Sequence, residues 1–201
     1  MNRGPGGTQA PGRRLFVAIP IPQPVRDSVA SIVESVRAEG DPSVRDVRWV
    51  RLDGLHLTIR FLGPTEESDV TAISAAVDRV ANSLEPFDVV LAGAGAFPSV
   101  ARPRALWLGV DGGLSKLEAS ASALEDALAE AGWPRSERPF RPHLTLARSD
   151  GVRAGAQVAR RLIDAAAGVR ESFRAEALVL FETISGGGPA RYLPLHEATF
   201  R

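Results

Sequence analysis

The sequence predicts an α+β fold made by duplication, with two similar lobes related by an approximate twofold axis. Three observations carry this. Segments with helical apolar spacing alternate with strand-like ones. His-Leu-Thr-Ile at 56–59 returns as His-Leu-Thr-Leu at 143–146. The elements around each tetrapeptide follow the same order, and the step from the motif histidine to a later strand phenylalanine is 31 residues in the first half (His56 to Phe87) and 30 in the second (His143 to Phe173).

Leu15 to Ile19 reads as a buried strand, an unbroken apolar run of strand length. From Val25 the positions Val29, Ile32, Val33 and Val36 keep helical spacing, and the helix is expected to end near Gly40. The strand holding His56 follows, with Trp49-Val50 expected to pair with it. Ile73, Ala76, Val77, Val80 and Leu84 mark a second helix, and Phe87 to Leu91 another strand. In the second half Leu106 to Leu108 is a strand. Ser115 and Glu118 have the spacing of a capping box for a helix carrying Leu117, Ala121, Leu124 and Leu128. The strand with His143 comes next, then a helix carrying Val158, Arg161, Leu162 and Ala165. Phe173 to Leu180 reads as one strand, and Arg191 to Leu195, after the turn at Ser185 to Pro189, as a last one.

The links between strands are mixed in length, so largely antiparallel sheets stand beside a doubly wound parallel sheet as readings of this order. Alternating polarity at His56, Thr58 and Arg60 supports a sheet with one face open to a cleft, since a central parallel strand would be apolar on both faces.

Composition bounds the chemistry. The chain has 201 residues, 44% of them hydrophobic, with no cysteine and a formal net charge of zero. Disulfides, cysteine-based zinc sites and thiol nucleophiles are excluded. Nothing in the net charge argues for strong non-specific binding to nucleic acid. No apolar run has the ~18 residues that a bilayer needs. Residues 1–13 read as a disordered leader rather than a signal peptide, and 14–201 as a single domain of two lobes, expected in the cytoplasm as a monomer. Arg45, Arg48, Arg51 and Arg60 surround the first motif, and Arg135, Arg138, Arg141 and Arg148 the second. Lys116 is the single lysine, so fixed contacts to an anion would fall to arginine.

In a strand, a histidine two residues before a threonine puts both polar groups on one face. Two such strands side by side offer two imidazoles and two hydroxyls to one target, and a phosphate suits them. In-line displacement at phosphorus needs one group to take a proton from the attacking water and another to give one to the leaving oxygen. Imidazole, with an ordinary pKa of ~6.5, can do either near neutral pH. No metal or cofactor is required by this scheme.

The pair His56-Leu57-Thr58-Ile59 and His143-Leu144-Thr145-Leu146 resembles the two H-x-T-x motifs of the 2H phosphoesterase superfamily. Leu15 to Pro20, His56 to Gly63, Ala105 to Val110 and Phe140 to Arg148 are similar to stretches of the bacterial RNA 2′,3′-cyclic phosphodiesterases, also called 2′-5′ RNA ligases. The resemblance runs from about Arg14 to the C-terminus. It implies two mainly antiparallel sheets flanked by helices, an active-site cleft between the lobes, and cofactor-free hydrolysis of a 2′,3′-cyclic phosphate on RNA ends or small nucleotides to a 2′-phosphomonoester. It further implies His56 as proton donor to the leaving 3′-oxygen, His143 as the base that activates water, Thr58 and Thr145 as phosphate ligands, and Arg148 as a substrate contact. Strict alternation would turn Arg148 away from His143, so a bulge or strand end must redirect it. Arg60 and Phe140 are further substrate-binding candidates, Phe140 either as a stacking surface for a base or as a core residue.

Two other classes compete. A binding module could hold a nucleotide or RNA end in the same cleft without turning it over, although it would not need an acid and a base. A metal-dependent hydrolase would need acidic partners near the histidines, and none sits at ligand-like spacing. An isolated strand histidine is usually structural, and His196, without a partner motif, reads as a surface residue. Trp49, Trp107 and Trp133 read as packing residues. The Gly186–Gly188 run lacks the lysine and helix of a phosphate-binding loop, and the Pro- and Arg-containing loop Pro98 to Arg104 is expected at the cleft rim.

Overall fold

The computed structural model describes residues 12–38, 47–150, 155–186 and 188–201. Most of the leader, the predicted helix end near Gly40, Arg45 and Gly187 lie outside these residues. In chain order the elements are β1 (Arg13–Pro20), α1 (Gln23–Ala38), β2 (Arg48–Trp49), β3 (His56–Thr65), α2 (Val70–Ala81), β4 (Phe87–Phe97), β5 (Ala105–Gly112), α3 (Leu114–Glu130), β6 (His143–Arg148), α4 (Gly155–Ala165), β7 (Arg170–Ala175), β8 (Ala177–Ile184) and β9 (Arg191–Thr199). β1 begins inside the segment read as leader, where Arg13 pairs with Glu67 at 2.5 Å and Glu182 at 3.3 Å.

The strands order as β7-β4-β5-β6-β3-β1-β8-β9, with β2 added on β6, and each ladder is antiparallel. Two half-sheets, β7-β4-β5-β6 and β3-β1-β8-β9, meet at a seam between β6 and β3 that rests on the single pair Leu57↔Leu144. This is the two-lobed antiparallel arrangement expected, with the halves joined edge to edge. The helices cover one side only. α2 and α3 pack together, α2 against β8 and β9 and α3 against β3, while α1 and α4 pack together on the other half, against β7 and β4. Their buried stripes are the predicted ones, such as Val29, Ile32, Val33 and Val36 in α1. α1 thus leaves the half that holds β1 and covers the other, which interlocks the two lobes.

Four readings are corrected. β2 pairs with β6 rather than β3, through Arg48↔Arg148 and Trp49↔Ala147. Phe173 to Leu180 is two strands, because the chain crosses at Glu176 from β4's edge to β1's edge. The counterpart of β4 beside β5 is therefore β8 beside β1, and Phe87 and Phe173 lie on paired strands of one half-sheet instead of in equivalent places. No side chain caps α3: its first residue is preceded by Gly113 at φ 82°, where a Cβ would lie 2.5 Å from the Asp88 carbonyl, and Ser115 is already helical.

Candidate active site

β3 and β6 carry the two motifs to the seam. Leu57 and Leu144 turn to the helices and are fully buried. The residues on either side of each leucine therefore share the open face. Antiparallel pairing through Leu57↔Leu144 sets His56 across from Thr145 and Thr58 across from His143. The imidazoles are diagonal neighbours, for which the Cα spacing is about 7–8 Å. Each histidine thus stands across from the other motif's threonine on the open face of the sheet.

Both rings are held the same way. Nδ1 of His56 lies 2.7 Å from the Gly54 carbonyl, and Nδ1 of His143 lies 2.6 Å from the Arg141 carbonyl. A carbonyl only accepts, so in each ring Nδ1–H donates and Nε2 is left for the cleft. Burial pushes the His56 pKa down to about 4, against the upward pull of the Gly54 carbonyl, with the Arg148 and His143 charges adding to the fall. Burial also lowers His143, again with a smaller contribution from Arg148. Burial thus favours the neutral form of both imidazoles before a ligand enters.

The packing around the two rings differs. His56 lies over Phe16, ring centroids 4.6 Å apart and tilted by 31°, and takes the edge of Tyr192 at 4.8 Å. Tyr192 can approach because residue 54 is glycine: a Cβ there would stand 2.8 Å from Tyr192 Cδ2. His143 instead meets Phe97 edge to face at 5.0 Å, with Trp107 beyond.

Bulges decide which later residues reach the cleft. On β5, Leu106 opposes Ala147 and Trp107 opposes Thr145, so Leu146 is an extra residue. Leu146 and Ala147 both enter the core, and Arg148 emerges on the same face as His143 and Thr145. The bulge that Arg148 requires is present. β3 carries the same device: Val17 opposes Arg60 and Ala18 opposes Thr58, so Ile59 is extra. Here the outcome departs from the expectation for Arg60. Its side chain turns to the helix side, where Nε pairs with Glu125 of α3 at 2.6 Å and the outer nitrogens bond the Phe61 and Pro134 carbonyls. Phe61 takes the open face in its place and is 58% exposed.

A cavity of about 420 Å³ opens here, within the usual size of a small-ligand site. His56, Thr58, Thr145 and Arg148 line it, together with Phe16, Phe61, Tyr192, Thr183 and Arg14. Arg148 is exposed and has no acid partner among the described residues. The cavity is one-sided: apart from Thr145 and Arg148 of β6 and a few residues just before β3, its wall belongs to the β3-β1-β8-β9 half and the turn into β9. On the other half Trp107 lies over Gly95, where a Cβ would stand 2.5 Å from Cη2.

Phe140 packs against the core and does not line the cavity, nor does any residue of the loop Pro98 to Arg104. His196 is half-buried and its Nε2 lies 2.7 Å from Asp78 of α2, so it ties β9 to a helix. Trp49 and Trp133 pack on the core as expected. Arg51 and Arg135 are held by Asp53 and Asp126. No group of three His, Cys, Asp or Glu side chains that could hold a metal ion occurs among the described residues, and none of their helices is long and apolar enough to cross a membrane. Phe61 was missed, yet aligning His56-Leu-Thr-Ile-Arg-Phe61 with His143-Leu-Thr-Leu-Ala-Arg148 sets Phe61 level with Arg148 and Arg60 level with buried Ala147. Tyr192 left no such trace.

The model of the 2′-5′ RNA ligase superfamily matches residues 24–187 of this chain. A protein from Archaeoglobus fulgidus named RNA 2′,3′-cyclic phosphodiesterase is 32% identical over 137 residues, 67% of this chain and 72% of its own. One of the same name from Aquifex aeolicus is 31% identical over 122 residues, 60% of this chain and 64% of its own, so that match spans just under two thirds of the relative. Among solved structures, E. coli LigT complexed with 3′-AMP superposes with a TM-score of 0.71 at 29% identity, covering 94% of this chain and 98% of that one.

Proposed function

The chain belongs to the 2′-5′ RNA ligase superfamily, and from that premise we propose that its cavity hydrolyses 2′,3′-cyclic phosphates on RNA ends or nucleotides to 2′-phosphomonoesters without a metal. One observation carries the reading. His56, the two threonine hydroxyls and a guanidinium with no acid partner among the described residues line one cavity, and His143, outside that lining but diagonal to His56 on the paired strand, has its Nδ1 held by a carbonyl in the same way, which frees Nε2 of each ring.

The cyclic phosphate sits between the four groups. Thr58 and Thr145 donate to its non-bridging oxygens, and Arg148 stabilises the charge that grows on them. Nε2 of His143 takes a proton from water, whose oxygen bonds to phosphorus as the bond to O3′ breaks. Nε2–H of His56 delivers its proton to O3′. The product is a 2′-phosphomonoester and a free 3′-hydroxyl, with His143 now charged and His56 neutral, and exchange with solvent resets the pair. Burial favours the neutral His56 ring in the free site, so His56 must be charged as substrate binds. The phosphate anion favours this because its charge offsets that of Arg148. Phe61, exposed on the same wall, offers a face on which the terminal base stacks.

The test is hydrolysis of 2′,3′-cyclic AMP by EDTA-treated protein, with the product identified by phosphorus NMR. The expected product is 2′-AMP at an undiminished rate. Activity lost on chelation and restored by zinc would point to metal chemistry, and tight binding without turnover to a binding module.

A further inference from the structure

The cavity continues past the aromatic wall, and its far end is polar. On the open face of β1 the side chains run Ala18, Phe16, Arg14, away from the level of Thr58. Pairing of Leu15 with Glu182 sets Arg14 level with Thr183 on β8, and Thr183 pairs with Tyr192 on β9. A guanidinium, a hydroxyl and a phenol thus stand at one level on three adjacent strands, and all three line the cavity. Arg14 is exposed and has no acid partner among the described residues, whereas its neighbour Arg13 faces the helix side and is held by Glu67 and Glu182. Hydrolysis at the histidines uses neither Arg14 nor Thr183, and Tyr192 only as packing against the His56 ring.

We propose that Arg14, Thr183 and Tyr192 form a second phosphate subsite, which takes the phosphate on O5′ of the nucleotide whose cyclic phosphate is opened. The proposal rests on the function proposed above. Four residues at the rise of a strand place the Arg14 Cα about 13 Å from Ala18, which lies level with Thr58. The aromatic row Phe61, Phe16 and Phe181 lies between, so a nucleoside stacked there spans the gap and a long arginine side chain closes the remainder. Arginine suits a phosphate because its fork can donate two parallel bonds, and a hydroxyl beside it completes the shell. The subsite therefore selects a nucleotide carrying a 5′-phosphate, either the phosphodiester of an RNA chain or a terminal monoester.

Binding of product-type ligands decides this without turnover. Calorimetry would compare adenosine 2′-monophosphate, adenosine 2′,5′-bisphosphate and an adenylyl dinucleotide ending in a 2′-phosphate. In the wild type the 5′-phosphate should tighten binding about tenfold, and Arg14→Gln should abolish that ratio while Arg14→Lys keeps part of it. Thr183→Val should reduce the ratio. A gain limited to the bisphosphate assigns the subsite to a monoester, and a gain with the dinucleotide assigns it to an RNA chain. Equal affinities in the wild type, or a ratio that survives Arg14→Gln, would overturn the proposal. Absence of turnover on 2′,3′-cyclic AMP would instead remove the proposed function and leave the binding ratios to decide the subsite.

Discussion

Replacing Arg148 by glutamine should do two separable things. The guanidinium stands at the cavity with no acid partner among the described residues, and its charge helps to lower both imidazoles. Glutamine keeps most of the length and loses the charge. A hydrogen bond to a charged group contributes about 1.5–3 kcal/mol, so loss of the phosphate contact should lower kcat/KM by about 10- to 100-fold. At the same time both histidines should titrate higher. His56 should rise above its value of about 4 yet stay below 6.5, because burial, the larger cause, is untouched. The assay is kcat/KM on 2′,3′-cyclic AMP as a function of pH, which reports the free enzyme. In the wild type both limbs of a bell should lie below 6.5, and in the variant both should move up. Imidazole titration by NMR checks the shift directly. A loss of less than threefold, or histidines that stay put or move down, would refute the placing of Arg148 beside both rings and the phosphate.

Four other expectations follow from the same geometry. His56→Ala and His143→Ala should each lower turnover by about 10²–10⁴-fold, and near-normal turnover in either would end the paired-imidazole mechanism. Phe61→Ala should weaken adenosine 2′-monophosphate by roughly tenfold if a base stacks on it, and calorimetry that detects no change would place the base elsewhere. Gly54→Ala puts a methyl 2.8 Å from the Tyr192 ring and should cost about 1–3 kcal/mol of stability, a cost that should vanish in denaturation of the Gly54→Ala/Tyr192→Ala double variant. As pH falls, the unfolded chain protonates residue 56 near 6.5 while the folded chain waits until about 4, so stability is full above 6.5 and is lost down to 4. The loss amounts to at most about 3 kcal/mol. Urea unfolding of wild type against His56→Gln should reveal this as a pH-dependent difference, and a constant difference would contradict the burial of His56.

The helices and most strands were legible because each buries one stripe or one face, and period alone reports that. The two histidines and two threonines were legible for the same reason, since His-Leu-Thr alternates about a leucine that must be buried. Pairing was harder. β2 has only two residues and pairs with β6, and the break at Glu176 lies inside a stretch, Phe173 to Leu180, whose strand pattern has no turn residue to mark it. Arg60 turns to the helices where Arg148 emerges at the cavity. Both follow a bulge, and alternation counts as though none existed, so only the observed register says which side chain emerges.

Residue order by itself determined the duplication, the two motif strands with one polar face, and the identity of the four polar groups on that face. It did so because local spacing sets which face a strand residue occupies. It left the two histidines equivalent. Tertiary structure decided that they are not: the cavity opens on the His56 side, with Phe16 and Tyr192 against that ring, Phe61 where the other motif has Arg148, and Trp107 lying over Gly95 on the opposite half. Those differences come from residues far apart in the chain, brought level by ladders between β1, β8 and β9, and no spacing within either motif encodes them.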